Sequence, residues 1–253
     1  MSRQRLGQHF LIKGSILERI AAAACPVRAP LVVEIGPGRG ALTERLLHRA
    51  DHVTAIELDP LLVEHLRHKF AAEPRLEVIH ADALDADLAQ WGAAPVAGNL
   101  PYYAATPIIE RIVRRSASRA VFLIQKEVAE RLAAAPGCRD YGLLSVATQL
   151  FADVQVLFDV KPGAFRPPPK VDSAVVRLEP RTDAPAADEA EGFLKFVAQC
   201  FHQKRKTIRN NLAGSYGKDL VDGWPEAGLR AEQIGIAQLI AMHERVITRE
   251  GSI

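Results

Sequence analysis

Five short apolar runs, "PLVVEIG", "HVTAIEL", "LEVIHAD", "APVAGN" and "RAVFLIQ", share the first half of the chain with three stretches of helical periodicity, "GALTERLLHRA", "DPLLVEHLRHKFAAE" and "TPIIERIVRRS". Short runs rich in Val and Ile are the pattern of strands buried on both faces. Alternating with helices, they imply an α/β fold: a mostly parallel sheet covered by helices. Asp59-Pro60 opens the second helical stretch with a capping carboxylate and a proline at the first helical position, and Leu61, Leu62 and Leu66 set out one apolar face. Further on, "DVQVLFDV" and "SAVVRLEP" flank the proline-rich "KPGAFRPPPKVD". They predict an antiparallel addition at one edge of the sheet.

A break in composition, "EPRTDAPAADEAEG", separates this α/β part from a tail that reads as helical throughout. We place the boundary there, with the α/β domain at 1–181 and a small all-helical domain at 182–253. The tail contains "FLKFVAQCFHQKRKTIRNNLAG", read as one helix, and "RAEQIGIAQLIAMHERVI". The net charge is only +2, so any surface for nucleic acid must come from how charge is placed. Cys25, Cys138 and Cys200 are odd in number and far apart. That excludes a disulfide framework and fits a reducing compartment, hence the cytoplasm. No apolar run approaches membrane-spanning length. His80 and the His48/His52 pair offer no metal-ligand spacing, and no metal is expected.

"VVEIGPGRGALTERLL" runs strand, glycine turn, helix. Gly36 and Gly38 permit a tight turn and close approach of backbone to a ligand. Glu57 follows at the end of the second strand, where such folds hold a ribose. The same glycines also satisfy a dinucleotide pattern, so a dehydrogenase stays open at this point. Two more acids weigh against it. Glu34 precedes the turn and Asp82 ends the third strand, and carboxylates beside the turn repel a pyrophosphate. They suit S-adenosylmethionine, which carries a sulfonium, an ammonium, a ribose and an adenine amine. Glu57 is expected to take the ribose hydroxyls and Asp82 the adenine amine, with Glu34 ordering the turn.

"GNLPYY" closes the fourth strand beside that edge. The lone pair of an exocyclic base amine is delocalised into the ring. Hydrogen-bond acceptors on its N–H groups let the nitrogen pyramidalise toward a methyl donor. The Asn99 side-chain oxygen and the Leu100 carbonyl are such acceptors. Pro101 restricts the residue before it and so aims that carbonyl, and Tyr102 offers a face for the base to stack on. Phe165, on the stiff proline-rich segment, is expected as the opposite wall of the base site. Tyr103 is assigned to core packing. Lys204, Arg205, Lys206 and Arg209 form a basic run with no acid among them, which favours phosphate contacts. Arg3, Arg5 and Lys13 are candidates to extend that surface.

The chain resembles the ribosomal RNA adenine dimethyltransferases, and within them the small-subunit branch. The resemblance rests on "GQHFL", "EIGPGRGALT", "AIELD", "HADAL", "GNLPYYAATPII" and "FRPPPKVDSAVVRL", and spans nearly the whole chain. His9 stands where many relatives have Asn. The resemblance implies a class I methyltransferase fold with a small helical C-terminal domain. It implies S-adenosylmethionine contacts from His9, Leu11, Gly36, Glu57, Asp82 and Asn99, and dimethylation at N6 of two adjacent adenosines near the 3′ end of small-subunit rRNA. The expected partners are that rRNA or the immature small subunit, with the protein a monomer and no membrane involved. Two alternatives are kept: a large-subunit methyltransferase of the antibiotic-resistance type, and an assembly factor that binds particles with methylation secondary. A DNA adenine methyltransferase is disfavoured, because those usually carry an acid or Asn followed by Pro-Pro-Tyr or Pro-Pro-Trp.

Overall fold

The computed structural model describes residues 9–115 and 118–250. A two-residue strand β1 (Phe10–Leu11) leads into α1 (Gly14–Ala24). There follow β2 (Ala29–Ile35), α2 (Ala41–Leu47), β3 (Ala50–Glu57), α3 (Pro60–Lys69), β4 (Leu76–His80), β5 (Val96–Asn99), α4 (Ala105–Arg115) and β6 (Ala120–Gln125). Next come α5 (Lys126–Ala133), α6 (Leu143–Gln149), β7 (Ala152–Val160), the short β8 (Phe165–Arg166) and β9 (Ser173–Pro180). The chain ends in α7 (Ala190–Cys200), α8 (Ile208–Tyr216), α9 (Lys218–Asp222) and α10 (Ile236–Glu250).

Seven strands form one sheet in the order β4-β3-β2-β5-β6-β9-β7. The pairs from β4 through β6 are parallel. β9 is antiparallel to both of its neighbours. The reversed strand is therefore the inner member of the expected edge pair, and β7 forms the rim. From β2 the strand order runs outward in both directions, to β3 on one side and β5 on the other. Such a switch point opens a crevice beyond the carboxyl ends of the two central strands.

The core joins apolar residues of the expected strands and of α2 to those of α1, a helix outside the three expected helical stretches. Leu17, Ile20 and Ala21 of α1 and Leu42, Leu46 and Leu47 of α2 pack with Val32, Val53, Ala97, Val121 and Leu123 of the sheet. Asp59 caps α3 through the Leu61 N–H at 2.9 Å, with Pro60 at the first helical position. The apolar face of α3 differs from the one expected: Leu61 is 62% exposed, and Val63 and Leu66 are the buried residues.

The chain divides into two compact units. One holds residues up to Ala129 and Ala152–Arg181, the other Glu130–Phe151 and the chain from Thr182 on. The composition break predicts an uninterrupted first domain through residue 181. Instead, 130–151 groups with the C-terminal helices. Tyr141 meets Phe201 edge to face, and the Gly137 N–H bonds the Glu232 carbonyl at 2.7 Å.

A second difference lies at the basic run. α7 stops at Cys200 and α8 starts at Ile208, so Lys204, Arg205 and Lys206 sit in an exposed loop rather than on a helix. The Asn211 side chain enforces the break, donating to the Cys200 carbonyl at 2.7 Å and to the Gln203 carbonyl at 3.3 Å. Arg3 and Arg5 lie outside the described residues. No helix among the described residues is long and apolar enough to cross a membrane.

Candidate active site

A cleft opens at the switch point. Counted with its open mouth it spans about 1220 Å³. Its walls include Gly36 and Gly38 after β2, Glu57 at the end of β3, Asp82 after β4, and Asn99 to Tyr103 after β5. His9 and Leu11 also line it. Of the residues named for cofactor and target, all but Phe165 converge here.

The glycine turn is held by the acid it was paired with. The Glu57 carboxylate accepts the backbone N–H groups of Gly38, Leu58 and Asp59, each at 3.0 Å. Gly38 has φ +58°, and a Cβ there would lie 3.0 Å from the Phe10 ring. Both facts require glycine. Phe10 in turn carries the Arg39 guanidinium over its face at 4.8 Å, so β1 lies as a strap over the turn. Neither residue was singled out in the sequence. Phe10 sits between His9 and Leu11 of "GQHFL" and lines the same cleft.

Glu34 is 1% exposed and accepts from the Thr43 hydroxyl at 2.5 Å. Burial pushes its carboxyl up to about 8, with the nearby Glu57 charge adding to the rise, against the Thr43 hydrogen bond and the Lys69 charge. Burial thus favours the neutral carboxyl, and the side chain ties β2 to α2 behind the turn. Asp82 accepts the Leu84 N–H at 2.9 Å through one oxygen. Its other oxygen has no partner among the described residues.

Asn99 ends β5, and its side-chain N–H₂ donates to the His9 carbonyl at 3.0 Å. A carbonyl only accepts, so this contact fixes which way the amide points and leaves Oδ1 as the free acceptor. Gly98, just before it, is packed so closely that a Cβ would stand 2.4 Å from the Ile35 carbonyl. The Leu100 N–H bonds the Leu123 carbonyl of β6 at 3.1 Å, which anchors the loop as it leaves the sheet.

The aromatic residues depart from expectation in two places. Phe165 is 1% exposed and belongs to the core cluster with Leu11 and Leu17. Its pairing with Leu11 across β1–β8 turns the ring inward, so it is no wall of the cleft. The ring beside Tyr102 is His9, with centroids 5.8 Å apart and planes inclined by 34°. The His9 Nδ1 contacts the Pro167 carbonyl at 2.8 Å, an acceptor that assigns the proton to Nδ1. Tyr103 is not core: it is 61% exposed at the cleft rim. Partial burial first, then the charges of Asp82 and Glu57, push its phenol ionisation up.

Residues 1–235 match the family described as ribosomal RNA adenine dimethylase. The chain belongs to that family. It is 44% identical over 255 residues to the ribosomal RNA small subunit methyltransferase A of Acidobacterium capsulatum, covering 95% of this chain and 89% of that protein. It is 43% identical to the protein of the same name from Bordetella bronchiseptica, covering 97% and 94%. A dimethyladenosine transferase from Plasmodium falciparum superposes with a TM-score of 0.78 at 25% identity, covering 96% of this chain and 98% of that one. The 23S rRNA methyltransferase ErmE superposes at 0.70 with 30% identity, covering 94% and 99%. Membership of the dimethylase family removes the dehydrogenase alternative. Among the described residues no group of three or more His, Cys, Asp or Glu side chains is placed to hold a metal ion.

Proposed function

We propose that this protein dimethylates N6 of two adjacent adenosines near the 3′ end of small-subunit rRNA, using S-adenosylmethionine. The observation that carries this reading is the Asn99 amide, whose oxygen the His9 carbonyl leaves free at the end of β5, in a cleft shared with Glu57 and Asp82.

The side chains present fit the cofactor. Glu57, steadied by its three backbone donors, accepts from ribose hydroxyls. The free Asp82 oxygen accepts from the adenine amine. When bound, S-adenosylmethionine supplies an electrophilic methyl on sulfonium, open to in-line displacement. The protein's own part is placement. Asn99 Oδ1 and the Leu100 carbonyl accept from the target N6 amine, which draws its lone pair out of conjugation. Tyr102 provides the stacking face. The methylated nitrogen releases its extra proton readily, so no general base is required.

Lys204, Arg205 and Lys206 lie exposed in the α7–α8 loop, which supports an RNA contact there. Arg209 is paired with Asp222 at 2.6 Å and is the least available of the four. The protein acts in this reading as a cytoplasmic monomer on the rRNA or the immature small subunit.

The test is methyl transfer from labelled S-adenosylmethionine to small subunits lacking the modification, followed by nucleoside analysis. Label in N6,N6-dimethyladenosine is expected. Label only in large-subunit RNA or DNA would move the target. Cofactor binding without transfer to any nucleic acid would favour the assembly-factor reading.

A further inference from the structure

A second cleft lies within the C-terminal unit, where the loop after α5 meets the loop after α7. It is lined by Arg131, Tyr141, Leu143, Leu144, Phe201 and Lys204, with Asp140 as its one acid. The Lys204 ammonium donates to the Arg139 carbonyl. Tyr141 packs edge-on to Phe201 with centroids 6.0 Å apart. These contacts join two loops that are distant in sequence into one surface. The floor is apolar, and Leu143 is left 39% exposed on it. The buried Tyr141 hydroxyl in the wall has no hydrogen-bond partner. The rim is basic: Arg131 and Lys204 stand at the cleft, Arg205 and Lys206 follow Lys204 in the chain, and Arg139, whose carbonyl Lys204 engages, is exposed beside Asp140. Among the described residues no ion pair engages any of these five cations.

An apolar floor beneath a cationic rim is complementary to a nucleotide whose base is unstacked, with ring on the floor and phosphate at the rim. A paired helix offers phosphates but no free base face. We propose that this cleft takes one unpaired ribonucleotide of the RNA, its base against Leu143 and Phe201 and its phosphate against Arg131 and Lys204. The proposal rests on the RNA-methyltransferase reading and adds Arg131 and Leu143 to the RNA-contacting surface.

The test uses the full chain and two probes, a labelled oligouridylate, which has no adenine for the methylation cleft, and a duplex RNA of equal phosphate count. Both substitutions fall on exposed side chains. Leu143→Ala is expected to weaken oligouridylate binding several-fold and leave duplex binding unchanged. Arg131→Ala is expected to weaken both and to flatten the oligouridylate salt dependence by about 0.7 in log–log slope. Cofactor binding should stay at the wild-type level in each. Wild-type oligouridylate affinity in Leu143→Ala, or equal losses for oligouridylate and duplex in that variant, would overturn the proposal. Should the wild-type protein transfer no methyl group while these differences persist, the enzyme reading falls and the nucleotide cleft stands.

Discussion

The Tyr102 hydroxyl lies 2.7 Å from the hydroxyl of Ser173, 71 residues away in sequence. Ser173 is wholly buried at the start of β9, and the Tyr102 ring is half-buried. The contact joins the two most distinctive segments of the chain, "GNLPYY" and "FRPPPKVDS", and fixes the ring expected to stack on the target base.

Ser173→Ala removes that partner and leaves the tyrosine hydroxyl poorly solvated, at a cost of about 1 kcal/mol in stability. The expected kinetic result is a several-fold fall in kcat/KM for methyl transfer with unchanged cofactor affinity. Tyr102→Phe should do the same, and the double variant should be no worse than either single one. Additive losses would separate the two residues.

Tyr103 stands exposed at the rim near Asp82 and Glu57. A large aromatic there gains by covering a bound ligand. Tyr103→Ala should weaken S-adenosylmethionine binding in calorimetry several-fold while shifting stability by no more than about 0.5 kcal/mol. Tyr103→Phe should bind normally, because the ring and not the hydroxyl makes the cover. Equal affinity in Tyr103→Ala would contradict this role.

Glu34 gives a pH dependence with a definite sign. The unfolded chain loses this proton near 4.5, whereas the fold keeps it to about 8. The group's stabilising contribution is full below 4.5 and is lost as pH rises to about 8. Glu34→Gln has no proton to lose, so its urea midpoint should fall less than that of the wild type across this interval. Parallel curves would show that Glu34 is not held neutral.

Gly98 is required by contact rather than by backbone angle. A Cβ would meet the Ile35 carbonyl at 2.4 Å, pressing β5 away from β2. Gly98→Ala should lower stability by about 1–3 kcal/mol, measured as Tm, and should lower methyl transfer further than stability alone explains, since Asn99 is the next residue.

The sheet was legible because buried parallel strands spell themselves as runs of Val and Ile, and the glycine turn because its neighbours Glu57 and Asp82 come at strand ends. Several of the errors share one cause, which is that side-chain direction or chain grouping was set by a contact distant in sequence. Phe165 is turned inward by a pairing of two residues with Leu11 and its neighbour, too short to show a period. The basic run keeps apolar residues at helical spacing, yet Asn211 breaks the helix by capping α7 from the next element. Tyr103 is the exception: it lies within the local turn closed by the Ala104 N–H on the Pro101 carbonyl, and a lone aromatic carries no pattern. The grouping of 130–151 with the C-terminal helices depends on contacts such as Tyr141 with Phe201, which no local composition announces.

The central claim is that the Asn99 amide oxygen, oriented by the His9 carbonyl, accepts from the amine that is methylated. It is tested most directly by single-turnover methyl transfer with Asn99→Ala on unmodified small subunits, with cofactor and particle binding measured on the same protein. The account predicts that particle binding persists, that the cofactor still binds, and that transfer falls by at least about a hundred-fold. Transfer at the wild-type rate would contradict it.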